Sequence, residues 1–336
     1  MSTILVTGAN GFLGSEIICQ LLASGYSVRA TGQEPSCLRS GIEYITADIT
    51  QASQLSTITA GMTAVIHTAG LAHVFHRSAN LAERFFQINE LGAENVARAA
   101  AAAGVGHFIL ISSVSVYGSS TQGLCTEEHL CQPASPYALS KLNAEYRVTA
   151  LAQETGMAVT ILRLATLYGE GDPGNVRRLM RNLDRGRFLW IGDGHNRKSL
   201  LYRGDAARAC LSVLNKPPPV SGVAIYNVSA PPCAMREIVE TLSTELGRKP
   251  LPVRVPEAIA IKLAQLASLL PVSAFSQLSA TIDKWLAEDT YDTSRIEKVI
   301  GFYPEITLGE GIRREVRWYR EQQARDHVQP GIGTIR

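Results

Sequence analysis

Ile4-Leu5-Val6-Thr7-Gly8-Ala9-Asn10-Gly11-Phe12-Leu13-Gly14 stands at the start of the chain, and an amphipathic stretch, 16–22, follows it. The pattern predicts a strand, a glycine turn and a helix. Gly8 would permit the tight turn, Gly11 the close approach of a phosphate, and Gly14 the packing of helix against strand. Because a helix N-terminus offers unpaired N–H groups, the turn suits the pyrophosphate of a dinucleotide. The spacing is G-x-x-G-x-x-G, so the stretch alone is also compatible with a plain strand-to-helix connection.

Tyr137 and Lys141 form a second pattern, because residues four apart share one face of a helix. An ammonium beside a phenol is expected to lower the pKa of the tyrosine toward neutrality. A phenol with such a pKa can act as a general acid and base. The spacing alone also occurs on solvated helix faces. Together with a dinucleotide site, it predicts hydride transfer at a carbon that bears oxygen.

Short β-branched runs alternate with amphipathic stretches in the first half of the chain, which predicts a parallel sheet with helices on both faces. The predicted strands are Thr3–Thr7, Ser27–Thr31, Glu43–Ala47, Ala64–Thr68, His107–Ser112 and Ala158–Leu164. The predicted helices are Phe12–Ser24, Ala82–Ala103 and Tyr137–Thr155. After about Leu164 the alternation stops, and loops rich in glycine and proline separate short elements.

Four further motifs are Thr46-Ala47-Asp48-Ile49, His67-Thr68-Ala69-Gly70, the segment 89–96 that opens with Asn89, and Ile111-Ser112-Ser113-Val114-Ser115-Val116-Tyr117-Gly118. With these motifs the chain resembles the extended short-chain dehydrogenase/reductase family, in particular its nucleotide-sugar epimerase/dehydratase group, from Thr3 to about Tyr319. The resemblance implies an α/β fold with a doubly wound parallel (Rossmann) sheet and a smaller mixed α/β C-terminal substrate lobe. The implied domains are 1–166, which binds NAD(P) and has a returning segment near 195–215, and 167–336, which binds substrate, with an interleaved boundary.

Roles for individual residues follow from this resemblance. Tyr137 would be the acid/base, and Lys141 would hold the nicotinamide ribose. Ser113 would hydrogen-bond the substrate oxygen, with Ser115 as the weaker alternative. The residues implied to bind the cofactor are Gly8, Asn10, Gly11, Phe12, Leu13, Gly14, Gln33, Asp48, Ile49, Thr68, Ala69, Asn89, Tyr137 and Lys141.

Dehydratases of the family carry a Thr-Asp-Glu run where this chain has Ser113, Val114 and Ser115. No carboxylate is placed there to protonate a leaving hydroxyl, which disfavours dehydration. The remaining chemistry is reversible oxidation at one carbon, as in an NAD(P)-dependent nucleotide-sugar epimerase or 4-ketoreductase. One alternative is an alcohol dehydrogenase of the 3β-hydroxysteroid or dihydroflavonol type. Another is a non-catalytic, cofactor-binding regulator, against which the intact Ser113, Tyr137 and Lys141 argue.

The end of the second predicted strand bears on the choice of cofactor. NAD-binding proteins of this type place Asp or Glu there, and an arginine accommodates the extra phosphate of NADP. This chain has Gly32, followed by Gln33 and Glu34, whereas Arg29 lies within the strand and Arg39 lies further on. Because Gln33 and Glu34 offer acceptors and no positive charge, NAD is preferred over NADP.

The resemblance also implies a site for the diphosphate of a nucleotide sugar. The residues implied to bind substrate, besides Ser113, are Asn175, Arg177, Arg197 and Lys198. Lys198 stands where the family has arginine, and lysine lacks the bidentate grip of a guanidinium. A solvated basic helix is the alternative for the arginines. A helix is predicted over Pro256–Leu270, and it would belong to the core, form a lid, or present a surface to an apolar substrate. The last of these possibilities keeps the steroid-type dehydrogenase open as an alternative.

With 32 basic and 30 acidic residues, the chain has no bulk charge to attract nucleic acid or a membrane surface. The scattered cysteines form no C-x-x-C pair, so no metal site is predicted. The sequence contains no uninterrupted apolar run of about 18 residues, so no membrane-spanning helix is predicted. The first strand starts almost at Met1, without room for a signal peptide, so a cytoplasmic location is expected. The helices Ala82–Ala103 and Tyr137–Thr155 resemble those that pair in family members, so a homodimer is expected.

Overall fold

The computed structural model describes residues 2–72, 80–118, 123–251, 253–268 and 284–328. They belong to two compact units. The sheet unit comprises Met1–Thr166, Ser199–Pro231 and Asp289–Pro304, and the second unit comprises Leu167–Lys198, Pro232–Glu288 and Glu305–Arg336. The chain thus returns to the sheet unit twice, and the predicted returning segment near 195–215 overlaps the first of these returns.

The strands, in chain order, are β1 (Thr3–Thr7), β2 (Ser27–Gly32), β3 (Glu43–Thr46), β4 (Ala64–His67), β5 (His107–Ser113), β6 (Ala158–Leu164), β7 (Thr166–Tyr168), β8 (Trp190–Ile191), β9 (Arg197–Lys198), β10 (Leu200–Tyr202), β11 (Val223–Val228), β12 (Cys233–Ala234) and β13 (Arg254–Val255). The helices are α1 (Gly14–Ala23), α2 (Leu55–Thr59), α3 (Leu81–Phe85), α4 (Gly92–Ala102), α5 (Pro136–Thr155), α6 (Asn175–Asp184), α7 (Arg203–Leu214), α8 (Met235–Leu246), α9 (Glu257–Ser268), α10 (Ser294–Ile300) and α11 (Leu308–Val328).

Seven strands form the sheet of the sheet unit, in the order β11-β6-β5-β4-β1-β2-β3. Every neighbouring pair is parallel. This order confirms the predicted doubly wound parallel sheet. The direction of winding reverses between β1 and β4, and sheets of this kind bind ligands outside the carboxyl ends of the strands at that reversal.

Burial on both faces explains the apolar composition of the central strands. β4 and β6 are buried along their whole length. Leu5, Val65, Phe108 and Ile161 belong to one buried core cluster with residues of the flanking helices. Each such side chain contributes roughly 1.5–3 kcal/mol on full burial. A core of this kind fixes the strand ends, and with them the loops that carry the candidate site.

The segment Ala82–Ala103, which was predicted as one helix, is divided in the structure. α3 ends at Phe85, a π-helical turn occupies Phe86–Leu91, and α4 begins at Gly92. A methyl group added to Gly92 would lie 2.7 Å from Cδ1 of Ile49, so only glycine fits there without movement. Single π-helical turns occur frequently at functional sites. This one carries Asn89.

In the second unit, β8 pairs with β13 in parallel, and β9 pairs with β12 in antiparallel fashion. α8 packs against α6 and α11. On α9, Ala260 is buried beside Ile191 and Val255, whereas Ile259 is 50% exposed. The helix therefore contributes to a small core on one side. The end of the predicted segment Pro256–Leu270, residues 269–270, lies outside the described residues.

Within the described ranges, no helix is both long and apolar enough to cross a membrane. The same ranges contain no group of three or more His, Cys, Asp or Glu side chains that could hold a metal ion. The cysteines carry free thiols.

Candidate active site

Helix α5 begins next to the carboxyl end of β5. Ser135 caps it, because its Oγ accepts a hydrogen bond from the N–H of Ala138 at 3.1 Å, and Pro136 stands in the first turn. Tyr137 therefore lies at the start of α5, while Ser113 is the last residue of β5. The Ser113 side chain lies close enough to Tyr137 to lower the pKa of its phenol. The structure thus brings together two of the three predicted catalytic residues.

Lys141, the third, lies one turn further along α5. Its side chain is buried, and Nζ donates a hydrogen bond to the carbonyl oxygen of Ile111 on β5. Burial lowers the pKa of the Lys141 ammonium to about 8, against the influence of the Glu145 carboxylate, which raises it. At pH 7 the side chain is therefore mainly in its charged form.

The pKa of Tyr137 moves in the direction opposite to the prediction. Burial raises it, and the effect of the nearby Ser113 side chain, which lowers it, is smaller. The Tyr137 ring lies edge-on to Phe85, with 5.7 Å between ring centroids, and burial of this kind disfavours a phenolate. Because the Lys141 ammonium is directed to the Ile111 carbonyl, Ser113 and not Lys141 is the group that favours the phenolate here.

Ser115, the weaker alternative to Ser113, lies in a short 3-10 turn after β5. Its N–H donates to Oγ of Ser113 at 3.2 Å. Its own Oγ is buried and has no hydrogen-bond partner in the part of the chain that the structure describes. The influence of Ser113 on the pKa of Tyr137 favours Ser113 for the predicted role.

The three glycines of the turn have different environments. Gly8 has φ of +68°, and a methyl group there would lie 2.8 Å from Cα of Ala69. A methyl group on Gly14 would lie 2.2 Å from the carbonyl oxygen of Gly8. Gly11 is exposed, and its N–H donates to the Gly8 carbonyl at 2.9 Å. Gly8 and Gly14 are thus required by the turn itself, and Gly11 presents backbone to solvent beside the N-terminus of α1, as the predicted pyrophosphate site needs.

Leu13 and Phe12 complete this turn. Leu13 is buried and directly precedes α1. The ring of Phe12 lies 5.1 Å from the guanidinium carbon of Arg203, which also pairs with Glu16 at 3.0 Å. These contacts fix the first turn of α1 against α7.

Thr68 and Ala69, at the end of β4, contact the end of β1. Thr68 Oγ1 donates to the carbonyl oxygen of Thr7 at 2.6 Å, and the N–H of Ala69 donates to Thr7 Oγ1 at 3.2 Å. The two predicted cofactor residues therefore adjoin the glycine turn, at the reversal of the sheet.

Asn89 connects three parts of the site. Its Nδ2 donates to the Leu71 carbonyl at 3.0 Å and to Oγ of Ser140 at 3.1 Å, and its Oδ1 accepts from the N–H of Leu71 at 2.6 Å. Oγ of Ser140 in turn donates to the carbonyl of Tyr137 at 2.8 Å. A methyl group on Gly70 would lie 3.0 Å from Asn89 Oδ1. Asn89 thus holds the loop after β4 against the start of α5, and its predicted contact with the cofactor stays a prediction.

Asp48 and Ile49 follow β3. Asp48 Oδ1 accepts hydrogen bonds from the N–H of Thr50 at 2.9 Å and from its hydroxyl at 2.8 Å. The Ile49 side chain belongs to the core, so any contact with a cofactor would come from its backbone.

The loop after β2 is attached to the glycine turn. Asn10 donates from Nδ2 to the Ser36 carbonyl at 2.9 Å, and its Oδ1 accepts from the N–H of Leu38 at 2.8 Å. Gln33 and Glu34, between β2 and these contacts, are exposed. The fixed loop therefore presents acceptor groups at the end of β2, which fits the ribose hydroxyls of NAD.

Asn175 and Arg177 lie at the start of α6 in the second unit. Asn175 is the first residue of the helix. The N–H of Arg177 donates to Asp172 Oδ2 at 3.0 Å, and its guanidinium lies 5.2 Å from the Trp318 ring centroid. Arg177 is half-buried by these contacts.

Lys198 and Arg197 make backbone contacts that the sequence analysis did not anticipate. Lys198 is 8% exposed, and its Nζ donates to the carbonyl oxygens of Lys284 at 2.7 Å and Ala287 at 2.6 Å. Arg197 is exposed and donates to the Pro232 carbonyl at 2.7 Å. These contacts assign Lys198 a structural task in the second unit, and a diphosphate contact by either residue stays a prediction.

Glu145 was not among the predicted site residues. This carboxylate is buried on α5 and accepts a hydrogen bond from Oγ of Ser112, the neighbour of Ser113. Glu145 lies four residues after Lys141, just as Lys141 lies four residues after Tyr137. This spacing places all three on one face of a helix and could have indicated Glu145 from the sequence.

Sheet and site together define an enzyme of the extended short-chain dehydrogenase/reductase type. Residues 4–229 match the family model described as "NAD dependent epimerase/dehydratase family". This match covers more than half of the chain, which therefore belongs to that family.

Similar proteins in the family differ in their activities. The chain is 29% identical to the 2-alkyl-3-oxoalkanoate reductase of Stenotrophomonas maltophilia, over 93% of this chain and 97% of that one. It is 27% identical to the UDP-glucose 4-epimerase of Vibrio cholerae, over 96% and 97%. Among solved structures, MoeE5 in complex with UDP-glucose and NAD is similar with a TM-score of 0.77 and 26% identity, over 96% of this chain and 100% of that one.

Proposed function

We propose that the chain is an NAD-dependent nucleotide-sugar 4-epimerase or 4-ketoreductase that acts at one sugar carbon without dehydration. The observation that carries the proposal is the placement of three side chains: Ser113 at the end of β5, Tyr137 beside it at the start of α5, and Lys141 one turn along α5. Val114 and Ser115, which follow Ser113, carry no acidic group. The similar proteins that act on or bind UDP-glucose support the sugar nucleotide as substrate class.

Each side chain of this group has one task in the proposal. Ser113 hydrogen-bonds the reacting oxygen of the substrate. Tyr137 takes the proton of the sugar hydroxyl during oxidation and returns it during reduction. Lys141 holds the nicotinamide ribose with its ammonium. When bound, NAD supplies the hydride acceptor, and its reduced form supplies the hydride donor.

The glycine turn and the ends of β2, β3 and β4 are proposed to bind the cofactor. Gly11 and the start of α1 would receive the pyrophosphate, because exposed backbone and a helix N-terminus meet there. Glu34 would accept from the adenine ribose hydroxyls, and Asp48 would contact the adenine. The stable turn at Gly8 and Gly14, where added methyl groups do not fit, supports this assignment.

Product analysis tests the proposed reaction. Purified protein is incubated with NAD and one nucleotide sugar at a time: UDP-glucose, UDP-N-acetylglucosamine or dTDP-glucose. The products are separated by ion-exchange chromatography, and their masses are measured by mass spectrometry. We expect a product of unchanged mass and altered retention with NAD or, when a nucleotide 4-keto sugar is supplied with NADH, a product heavier by two hydrogens. Tyr137→Phe should lower turnover on the order of 10²–10⁴-fold and leave NADH binding intact. A product lighter by one water would contradict the absence of dehydration.

A second candidate is reduction of a ketone that carries no nucleotide, which includes the 3β-hydroxysteroid and dihydroflavonol types. Two observations favour it. Lys198, expected at the diphosphate, donates to two backbone carbonyls, and the similar reductase of Stenotrophomonas maltophilia is named for a 2-alkyl-3-oxoalkanoate. If 2-alkyl-3-oxo acids are reduced with NADH while no nucleoside diphosphate shifts the melting temperature, this candidate replaces the first.

The surface of α5 supports the expected homodimer. Leu139 and Tyr146 are seven residues apart, so they share one face of the helix, and they are 39% and 63% exposed. Large apolar groups on one exposed helix face are typical of an interaction surface. Light scattering at micromolar concentration should give twice the mass of the chain, and Tyr146→Glu should give the monomer. A cytoplasmic enzyme is likewise proposed, which the free thiols of the cysteines support.

A further inference from the structure

Three successive turns of α5 contact the carboxyl end of β5. Tyr137 lies beside Ser113, Lys141 donates to the carbonyl of Ile111, and Glu145 accepts from Oγ of Ser112. The first two contacts belong to the proposed catalytic group. The third contact, from Ser112 to Glu145, fixes the residue that lies between Ile111 and Ser113 on β5. The position of Ser113 relative to α5 therefore depends directly on Glu145.

Glu145 is itself held by a buried cation. Arg163, on β6, approaches Oε2 of Glu145 with Nη2 at 2.6 Å and Oε1 with Nε at 3.1 Å. The two residues are 2% and 4% exposed. A two-point contact between guanidinium and carboxylate restricts both distance and orientation.

The Arg163 guanidinium is hydrogen-bonded to further buried polar groups. Nη1 of Arg163 donates to the hydroxyl of Tyr117 at 2.8 Å, and that hydroxyl donates to Oδ1 of Asn227 at 2.7 Å. Asn227 lies on β11, is fully buried, and donates from Nδ2 to the Cys125 carbonyl at 3.1 Å. We call Ser112, Glu145, Arg163, Tyr117 and Asn227 the buried polar chain.

Stability alone is a poor explanation for this arrangement. Removing two charges from water costs several kcal/mol for each ion, and apolar residues of similar volume often replace a buried ion pair without loss of stability. Fixed geometry is what an apolar replacement cannot supply, because a carboxylate between Arg163 and Ser112 has few permitted positions.

We propose that Glu145, held by Arg163, is a positioning residue that sets Ser113 and Lys141 relative to Tyr137 for proton transfer. The inference rests on the proposed function of Ser113, Tyr137 and Lys141. It assigns the buried polar chain a role in catalysis that acts through these three residues and involves no contact with substrate.

The electrostatic surroundings of Lys141 support the same role. The Glu145 carboxylate raises the pKa of Lys141 against the effect of burial. The ammonium also contacts the Ile111 carbonyl on β5 and interacts electrostatically with His67 on β4. Burial lowers the pKa of His67 to about 3, so His67 is neutral at pH 7 and adds no charge. Glu145 is therefore the charged group that keeps Lys141 protonated.

Two substitutions separate the positioning role from a merely structural one. The double variant Glu145→Met with Arg163→Met removes both charges and leaves no unpaired ion, so we expect it to fold. Glu145→Gln keeps the shape and removes the charge. Arg147→Met is the matched control, because it removes an exposed cation from the same helix without touching Glu145.

The titration of Lys141 is followed by NMR of protein labelled with [13Cε]lysine, with Lys141→Arg to assign its signal. We expect the midpoint to move to lower pH in Glu145→Gln and in the double variant, and to stay in place in Arg147→Met. This measurement needs no substrate, so it tests the influence of Glu145 on Lys141 even if the proposed reaction is wrong.

Kinetics on the substrate that the wild-type enzyme converts complete the test. We expect kcat of the double variant to fall on the order of 10–10²-fold with little change in KM or in the NADH dissociation constant. If the double variant does not fold, Glu145→Gln is measured alone and should show the same pattern. Wild-type kcat together with an unchanged Lys141 midpoint in a folded variant would overturn the inference and leave Glu145 and Arg163 a structural pair.

Discussion

The carboxylate of Glu34 lies directly against Gly32, the last residue of β2: a methyl group on Gly32 would be 2.7 Å from Oε2 of Glu34. The backbone of Glu34 is fixed there, because its carbonyl accepts from the hydroxyls of Tyr44 at 2.9 Å and Thr46 at 3.1 Å. Glycine at the strand end thus makes room for an acid that stands two positions later in sequence.

We predict from this contact that Glu34 decides between NAD and NADP. Its carboxylate would accept from the 2′-hydroxyl of NAD and repel the 2′-phosphate of NADP. Fluorescence titration of the wild type should show tighter binding of NADH than of NADPH. In Glu34→Gln we expect the preference to shrink about tenfold, which corresponds to roughly 1.4 kcal/mol.

The matched control for Glu34 is Glu43→Gln, which removes an exposed carboxylate at the opposite end of the neighbouring strand. It should leave the ratio of the two dissociation constants unchanged. Clear selectivity of the wild type for NADPH would refute the role of Glu34.

The second prediction concerns Gly14. A methyl group there would meet the Gly8 carbonyl at 2.2 Å, and backbone cannot move as a flexible side chain can. Gly14→Ala should therefore lower the free energy of unfolding by about 1–3 kcal/mol and weaken NADH binding. Gly106→Ala is the control, since its added methyl group would lie 3.7 Å from the Thr63 carbonyl. Equal urea midpoints for the two variants would contradict the tight packing of the turn.

The third prediction concerns Lys198. Because its ammonium donates to the carbonyls of Lys284 and Ala287, Lys198→Met should destabilise the protein by about 2–4 kcal/mol. Lys249→Met, which removes an exposed ammonium of the same unit, should have little effect on the melting temperature. The opposite result would be unchanged stability of Lys198→Met and a KM for UDP-glucose raised about tenfold. That result would support the predicted contact between Lys198 and a diphosphate.

A buried acid in the second unit leads to the fourth prediction. Glu315 is fully buried, and its Oε2 accepts from the N–H of Gly169 at 3.1 Å. Burial, with a smaller effect of Asp172, raises the pKa of Glu315 well above its usual range. The folded state therefore holds a proton on Glu315 at pH values where the unfolded chain has lost it, and its stability falls as pH rises through that window.

Glu315→Gln should remove this loss, because the amide stays neutral and can still accept from Gly169. We expect the variant to melt a few degrees higher than the wild type at pH 7 to 8, with the difference closing toward pH 4. Glu310→Gln serves as the control, since Glu310 is a partly exposed acid bonded to Arg314 and Arg313, which lower its pKa. A Glu315→Gln variant less stable than wild type at pH 8 would show that the carboxylate is needed in its charged form.

The parts of the site that depend on local sequence were predictable. The strand, turn and helix over 4–22 follow from residues adjacent in the chain, and the spacing of Tyr137 and Lys141 needs only helical geometry. The parallel sheet followed from the alternation of elements, which any βαβ unit must show.

The parts that depend on distant segments were not predictable. The carbonyls that receive Lys198 come from residues 284 and 287, and nothing near Lys198 signals them. Burial raises the pKa of Tyr137, and Phe85, whose ring lies against it, ends α3 just before a π-helical turn that no periodicity reveals. The carboxylate of Glu34 reaches Gly32 only because Tyr44 and Thr46 bend the loop back.

β11 has a consequence for how the chain is made. It lies at the edge of the sheet, paired with β6 from Val223 opposite Val159 to Val228 opposite Leu164. When only the first 166 residues have left the ribosome, β6 is an unpaired edge strand, and it is apolar along most of its length. Its partner β11 becomes available only after about sixty further residues have been synthesised. Unpaired apolar edges are sites of aggregation. A recombinant fragment ending at Thr166 would carry this defect permanently, and a soluble minimal domain has to include the strand supplied by 223–228.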